Sequence, residues 1–230
     1  MRRRVAVTGL GIVCPIGNSV ADFRKNLLAG VSGVGPIRLF DPAELPTRIA
    51  AEVKWDGPIQ RDRKITFAIE AARQAMSSAG RPRGEGGLSL GIGLELFSMN
   101  DLAAMRSPGF SLPSALEQRL SFLQTPSDLC VHMVCAQHGL SRPPLTHVSA
   151  CAAGTDAIGA AFRMVADGRY DWMLAGGTDS MINPLGVGGF CRIGATTPSN
   201  EQPERASRPF DRARSGFVLG EGAGILVLEL

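Results

Sequence analysis

Three features of the sequence together predict an α/β fold. β-Branched runs that end in glycine alternate with segments of helical period along the whole chain. Glycine is abundant, at 28 of 230 residues, while aromatics make up only 6%, so elements are expected to approach closely through small side chains. Hydrophobic residues at 44% and charged residues at 20% suffice for a sizeable core in one large domain or two small ones. Disorder is excluded for the bulk of such a chain.

The elements follow in order. Residues 4–12 read as a first strand that ends in glycines, and 19–29 as a helix with Phe23, Leu27 and Leu28 at helical spacing behind an N-cap at Ser19. Residues 31–57, rich in Gly and Pro without a sustained period, read as loop or short irregular structure. A strong helix is expected over 63–79: Ile65, Ala68, Ile69, Ala72, Ala75 and Met76 share a face, and Gly80-Arg81-Pro82 stops it. Residues 88–94 read as the second strand, 95–125 as helical pieces joined at Pro108 and Pro113, and 127–140 as a helix. A short strand over 145–150 leads directly into an Ala-rich helix over 151–168, followed by strands at 171–178 and 224–230. Between those two strands, Pro184, Pro198, Pro203 and Pro209 mark 183–214 as a long connection. No repeat, low-complexity tract or domain linker interrupts this pattern.

Several function classes are disfavoured. The net charge of +3 is too small for a nucleic-acid or membrane surface. The basic start Met1-Arg2-Arg3-Arg4 runs into a stretch broken by Thr8, Gly9, Gly11 and Pro15, a strand and loop and not a signal peptide. No apolar run approaches the ~20 residues of a membrane span. Five cysteines, without a framework spacing or an N-x-S/T site in the chain, fit reduced thiols and a cytoplasmic location.

The most informative segment is Ser149-Ala150-Cys151-Ala152-Ala153-Gly154. A strand running directly into a helix places Cys151 at the helix N-terminus, where free N–H groups and the macrodipole favour an anion. A thiol so placed becomes a nucleophile. The small residues that follow leave room for a substrate at the sulfur. The other fate of a free thiol, burial as a small apolar side chain, stays open on position alone.

The wider sequence resembles a known family. Ser149 to Gly159, S-A-C-A-A-G-T-D-A-I-G, is similar to the nucleophile segment of the β-ketoacyl-acyl carrier protein synthases, condensing enzymes of the thiolase superfamily. Further motifs agree in order: Val7-Thr8-Gly9-Leu10-Gly11 with Pro15-Ile16-Gly17; Asp62-Arg63-Lys64 opening a helix that ends at Gly80; Ala175 to Asp179; Pro184 to Phe190; Ala206 to Asp211; and Gly216 to Gly224. The resemblance implies a thiolase-like fold, one half of an αβαβα layered sandwich, with a mixed five-stranded sheet and the Cys151 helix buried in the middle. It also implies decarboxylative Claisen condensation, in fatty acid or polyketide biosynthesis, with Cys151 as the acyl-accepting nucleophile and its backbone N–H as an oxyanion-hole donor. No cofactor is implied beyond substrates carried on the phosphopantetheine of an acyl carrier protein. The implied partners are that acyl carrier protein and a second subunit, giving a homodimer or a pair with another synthase-like chain. Phe190 and Leu94 are expected at the acyl pocket, and Arg61, Arg63, Lys64 and Arg192 as a basic rim that docks the acidic carrier; the plainer alternatives are core for Phe190 and solvated surface for the cations.

Family members are about twice this length, and their two catalytic His and a supporting Lys follow the nucleophile. Here His132, His138 and His147 all precede Cys151, so residues 1–230 are expected to be an N-terminal domain that is inactive in isolation. Within this half, the family's Gly-rich turn reads Gly91-Ile92-Gly93-Leu94-Glu95-Leu96, the stretch Gly139 to Pro144 departs from Gly-Leu-Arg-Gly-Pro, and Ser215 stands where an Asp is usual. Two other readings stand beside condensation: a non-catalytic partner like a chain-length factor, which lacks the Cys, and a coenzyme A-dependent thiolase, which the Gly216–Gly224 motif disfavours.

Other motifs carry less. Cys130, His132, Cys135 and His138 point about 0°, 200°, 140° and 80° round a helix axis and cannot converge on a metal, so no metal site is expected. Gly9-x-Gly11 lacks its third glycine at Cys14, and Gly220, Gly222 and Gly224 lack the Lys-Ser/Thr of a phosphate loop. His147, on a strand, reads as a satisfied core residue.

Overall fold

The computed structural model describes residues 3–80, 82–93, 108 and 127–230. Within them, five strands form one mixed sheet in the order β1-β7-β6-β4-β5. The strands are β1 (Ala6–Val13), β4 (Gly86–Ile92), β5 (Leu145–His147), β6 (Trp172–Asp179) and β7 (Gly222–Glu229). β4 pairs in parallel with both β5 and β6, whereas β7 runs antiparallel to β6 and β1. Residues 31–57 contain only a two-residue hairpin, β2 (Gly35–Pro36) with β3 (Ile49–Ala50).

Period-two alternation sorts the sheet's side chains between two helix layers. Leu88, Leu90, Ile92, Leu174, Ile225 and Val227 face a core shared with α2 (Arg63–Ala79) and α3 (Ser127–His138). Met173, Ala175 and Leu228 face α4 (Ala153–Ala166) on the opposite side. The result is three layers, α2/α3 over the sheet over α4. The inner face of α4 covers the sheet, while Thr155, Asp156, Phe162 and Arg163 are exposed within the described residues; the resemblance puts this helix in the middle of a sandwich of which this chain is one half.

α2 matches its predicted span. Asp62 caps it by accepting the Lys64 N–H at 2.9 Å, and Gly80 ends it in the left-handed conformation at φ 71°. Its buried surface is wider than the predicted stripe and includes Phe67 and Ala71, because the sheet and α3 both press on it. Close approach to β1 explains two of the glycines: a Cβ on Gly11 or Gly9 would run into the carbonyls of Ala71 and Ala75.

Other boundaries moved for local reasons. α1 (Val20–Leu28) has the predicted cap, with Ser19 Oγ accepting from Asp22 N at 3.1 Å. Among the described residues, however, its apolar stripe finds no core, and Leu28 is 75% exposed. The connection at 183–214 is not irregular throughout, since it contains α5 (Pro184–Arg192) and α6 (Pro203–Ala206). In both, the proline read as a breaker occupies the first helical turn, where its missing N–H costs nothing. Asn183 completes the start of α5 by accepting the Gly186 N–H at 2.9 Å. The helical pieces expected over 95–125, apart from Pro108, lie outside the described residues.

Candidate active site

β5 ends at His147, earlier than predicted, and α4 begins at Ala153, later than predicted. A 3-10 turn over Ala150–Ala152 fills the gap, with Ala152 N bonded to Ser149 O at 3.2 Å. Cys151 is the middle residue of that turn and is exposed. Ala150 before it holds φ at 50°, a left-handed conformation unusual for a residue with a Cβ. Ser149 Oγ donates to the Asp156 carboxylate, which ties the turn to the first turns of α4. The segment is thus a sharp elbow that presents the sulfur clear of the sheet.

The elbow overhangs the C-terminal ends of parallel strands β4 and β6, the usual ligand position in open α/β sheets. A cavity of about 420 Å³ lies there, lined by Cys151, Gly91, Gly177, Thr178, Asp179 and Glu221 among others. Two glycines permit this geometry. A Cβ on Gly91 would meet the Ala153 backbone and stand 2.5 Å from Gly154 N, and one on Gly177 would come within 3.2 Å of Gly154 Cα. Gly91→Ala is expected to push the start of α4 outward, because only backbone stands in the way. The rate of Cys151 alkylation should change several-fold, together with a lowered Tm. An unchanged rate would show that Gly91 does not position the elbow.

The cavity holds two carboxylates that were quoted within motifs but not singled out as site residues. Burial raises the Asp179 pKa, against the Ser180 N–H bond at 2.8 Å and nearby Lys64, which lower it. Glu221 is fully buried and accepts from Arg63 Nε at 2.9 Å, Ser180 Oγ at 2.6 Å and Val53 N at 2.9 Å. The sequence signal for it was no more than a Glu within the glycine-rich stretch Gly220-Glu221-Gly222, since its bonds come from residues far along the chain.

The remaining predicted residues separate. Arg61 and Arg192 are exposed, so a surface role stays open to them. Arg63 and Lys64 do not belong to a basic rim. The Arg63 guanidinium is committed to Glu221 and the Val53 carbonyl and lies 5.1 Å over the Phe67 ring. Lys64 is 2% exposed and paired with Asp62 at 3.5 Å. At a helix start packed against a sheet, both cations turn inward toward carboxylates. Phe190 does not line the Cys151 cavity; it stacks edge-on to Phe217 at 5.3 Å and packs with Met181, Ile182, Val187 and Leu219. Leu94 lies outside the described residues.

His147 is engaged as expected of a structural residue, with Nε2 at 2.9 Å from Ser89 Oγ, which itself donates to Ala157 O. Cys130 and Cys135 are buried in the α2/α3 core, while His132 is exposed beside Asp128. Burial pushes the Cys130 thiol up to about 12 and raises Cys135 as well. Cys14 donates to Gly17 O at 3.3 Å. At Cys191 burial pulls upward, but hydrogen bonding from Thr196 and Thr47 outweighs it and the pKa falls. No group of three or more His, Cys, Asp or Glu among the described residues is arranged to hold a metal ion, and no helix among them is long and apolar enough to cross a membrane.

Comparison with known proteins agrees with this arrangement. Residues 2–230 match the family described as "Beta-ketoacyl synthase, N-terminal domain". The chain is 40% identical to 3-oxoacyl-[acyl-carrier-protein] synthase 2 of Coxiella burnetii, covering 99% of this chain and 58% of that protein. It is 39% identical to the putative polyketide beta-ketoacyl synthase 1 of Streptomyces cyaneus, again covering 58% of that protein. A type II polyketide ketosynthase, solved in complex with its acyl-carrier protein, superposes with a TM-score of 0.82 at 31% identity, over all of this chain and 58% of that one. A β-ketoacyl synthase from Burkholderia phymatum gives 0.80 at 29% identity. The fold is thus the thiolase-like α/β arrangement, and the chain spans about 58% of the length of these curated relatives. Together, the ordered motifs, the mixed sheet and the Cys elbow place the chain in the β-ketoacyl synthase family, as an N-terminal domain of that family.

Proposed function

We propose that this chain is the nucleophile-bearing domain of a β-ketoacyl-acyl carrier protein synthase, an acyltransferase that performs decarboxylative Claisen condensation. The observation that supports this reading most strongly is the Cys151 elbow over the cavity at the ends of β4 and β6. Cys151 Sγ attacks the thioester carbonyl of an acyl group carried on phosphopantetheine. The bond from carbonyl carbon to pantetheine sulfur breaks, and the pantetheine thiol leaves with the proton that Cys151 gave up. A malonyl-carrier then loses CO₂ by C–C cleavage. The resulting carbanion attacks the Cys151 thioester, forming the new C–C bond and freeing the Cys151 thiolate. The Cys151 N–H at the elbow serves as one oxyanion donor.

The partners in this reading are an acyl carrier protein, met in part by the exposed Arg61 and Arg192, and a second synthase subunit; the compartment is the cytoplasm. Relatives named for fatty-acid-type and polyketide synthases are about equally similar, so either pathway fits. The chain-length-factor reading has no support in a chain that carries the Cys.

Limited iodoacetamide treatment followed by mass-spectrometric mapping tests the nucleophile. Cys151 is expected to label first, with Cys191 as its main competitor and Cys130 and Cys135 last. The same position should carry the added mass after incubation with an acyl-carrier thioester. Acylation or preferential alkylation at any other cysteine would overturn the assignment.

A further inference from the structure

A hollow of about 540 Å³ lies apart from the Cys151 cavity, lined by Arg208, Arg212, Arg214, Ser207 and Phe217 among others. Residues 205–217 carry four arginines and a single carboxylate, Asp211. That carboxylate is already turned to its own backbone, accepting the Ala213 N–H at 2.7 Å. Among the described residues Arg208 and Arg212 have no ion pair or side-chain hydrogen bond, and Arg214 donates only to the Asp211 carbonyl at 3.0 Å. Ser215, where the resemblance predicts an aspartate, adds no negative charge; its hydroxyl bonds to Thr197 Oγ1 at 2.6 Å. Three guanidiniums therefore face one concavity without an anion to offset their repulsion.

The base of this hollow is fixed. Phe217 N bonds to Ala195 O at 3.0 Å and Thr197 N to Phe217 O at 2.9 Å, joining the segment to the chain that follows α5. The turn that carries Arg208 closes through Asp211 N to Arg208 O at 3.2 Å and holds Phe210 at φ 66° with its ring 99% exposed. The hollow also has a direction. Phe217 stacks on Phe190, which packs with Met181 and Ile182, and Ser180 alone stands in the chain between these and Thr178-Asp179 of the Cys151 cavity.

We propose that Arg208, Arg212 and Arg214 form a binding site for a phosphate ester, and that its occupant is the phosphate of the pantetheine arm that brings substrate to Cys151. Clustered planar guanidinium forks match tetrahedral phosphate oxygens better than isolated lysines do. A ligand with one phosphate and a long uncharged arm suits a basic hollow beside an aromatic pair; the chain's small net charge argues against a polyanion. The choice of occupant rests on the condensing-enzyme reading; the existence of an anion site does not.

Two measurements on the full chain separate those claims. In the first, 4′-phosphopantetheine is titrated and followed by ³¹P line broadening. Broadening is expected for the wild type and should be lost in the Arg208→Ala/Arg212→Ala/Arg214→Ala variant, with the triple Lys variant between them. In the second, Cys151 acylation is compared for acyl-phosphopantetheine and acyl-pantetheine, which differ only in the phosphate. The wild type should prefer the phosphorylated donor by tenfold or more in rate per concentration, and the triple Ala variant should show a ratio near one. Equal ³¹P broadening in wild type and triple Ala variant would overturn the site. Equal rates with the two donors in the wild type, or inorganic phosphate binding as tightly as phosphopantetheine, would overturn the pantetheine occupant. If neither donor acylates Cys151, the condensing reading fails while the ³¹P titration still decides the arginine site.

Discussion

Residues 1–230 are expected to accept an acyl group on Cys151 and yet yield no condensation product above the level of the Cys151→Ala control. The two half-reactions make different demands. Transacylation needs a nucleophile and an exposed approach to it, and the elbow supplies both. Decarboxylation leaves a carbanion that must be stabilised by positioned donors facing the thioester. The cavity at Cys151 is lined by apolar and small residues, Thr178, and the two carboxylates Asp179 and Glu221, with no His, Lys or Arg among its described lining. Carboxylates repel a developing carbanion, and the Arg63 guanidinium beside Glu221 is already bound to it. His147, nearest in sequence to the nucleophile, is held by Ser89. A positioned general acid–base contributes on the order of 10²–10⁴ in rate and a second oxyanion donor beside the Cys151 N–H about 10²–10³, so lacking both is a deficit of roughly 10⁴ or more. A malonyl-carrier decarboxylation and condensation assay on purified residues 1–230 decides the matter. Turnover well above the Cys151→Ala control would mean that the described cavity already holds a complete catalytic set.

The sequence revealed some of this site and concealed the rest, for physical reasons. Elements governed by local chemistry were legible: α2 starts at Asp62 and ends at Gly80 because cap and left-handed glycine are local signals. The strand-to-helix junction at Cys151 was also legible, since the run from apolar strand to small residues is contiguous. The positive φ of Ala150 was not, because alanine carries no signature of a left-handed backbone and tertiary packing imposes it. The fates of Arg63 and Lys64 were concealed for a related reason. A basic pair at a helix start reads as surface until its partners arrive from far away, and Glu221 lies 158 residues on. The apolar stripe of α1 misled in the opposite sense: helical spacing reports a face, but not whether this chain covers it. Prolines 184 and 203 show the same ambiguity, since the residue that breaks a helix interior also begins one.

Arg63→Ala should be among the most destabilising single substitutions in this chain, at about 3–5 kcal/mol. Glu221 has no exposed side-chain surface, so loss of the guanidinium leaves a carboxylate in the interior with only the Val53 N–H and Ser180 hydroxyl to stabilise it. Arg63 contributes more than charge, since its Nη2 also bonds the Val53 carbonyl at 3.0 Å and its plane covers Phe67. Removal therefore loosens three segments at once: the start of α2, the loop at Val53 and the entry to β7. For a domain of this size, roughly 2–4 °C of Tm accompanies each kcal/mol, so a fall on the order of 10 °C is expected. A second variant separates burial of charge from lost packing. Arg63→Ala combined with Glu221→Gln removes the unpaired charge, keeps one acceptor oxygen for the Val53 N–H and turns the other position into an amide N–H that can donate to the Ser180 hydroxyl oxygen, and should recover a large part of the stability lost by Arg63→Ala alone. Chemical denaturation of the wild type and the two variants gives both numbers. A loss below about 1 kcal/mol for Arg63→Ala would show that the pair contributes no more than a surface ion pair. A double variant no more stable than Arg63→Ala would locate the cost in the lost Phe67 and Val53 contacts and not in the stranded carboxylate.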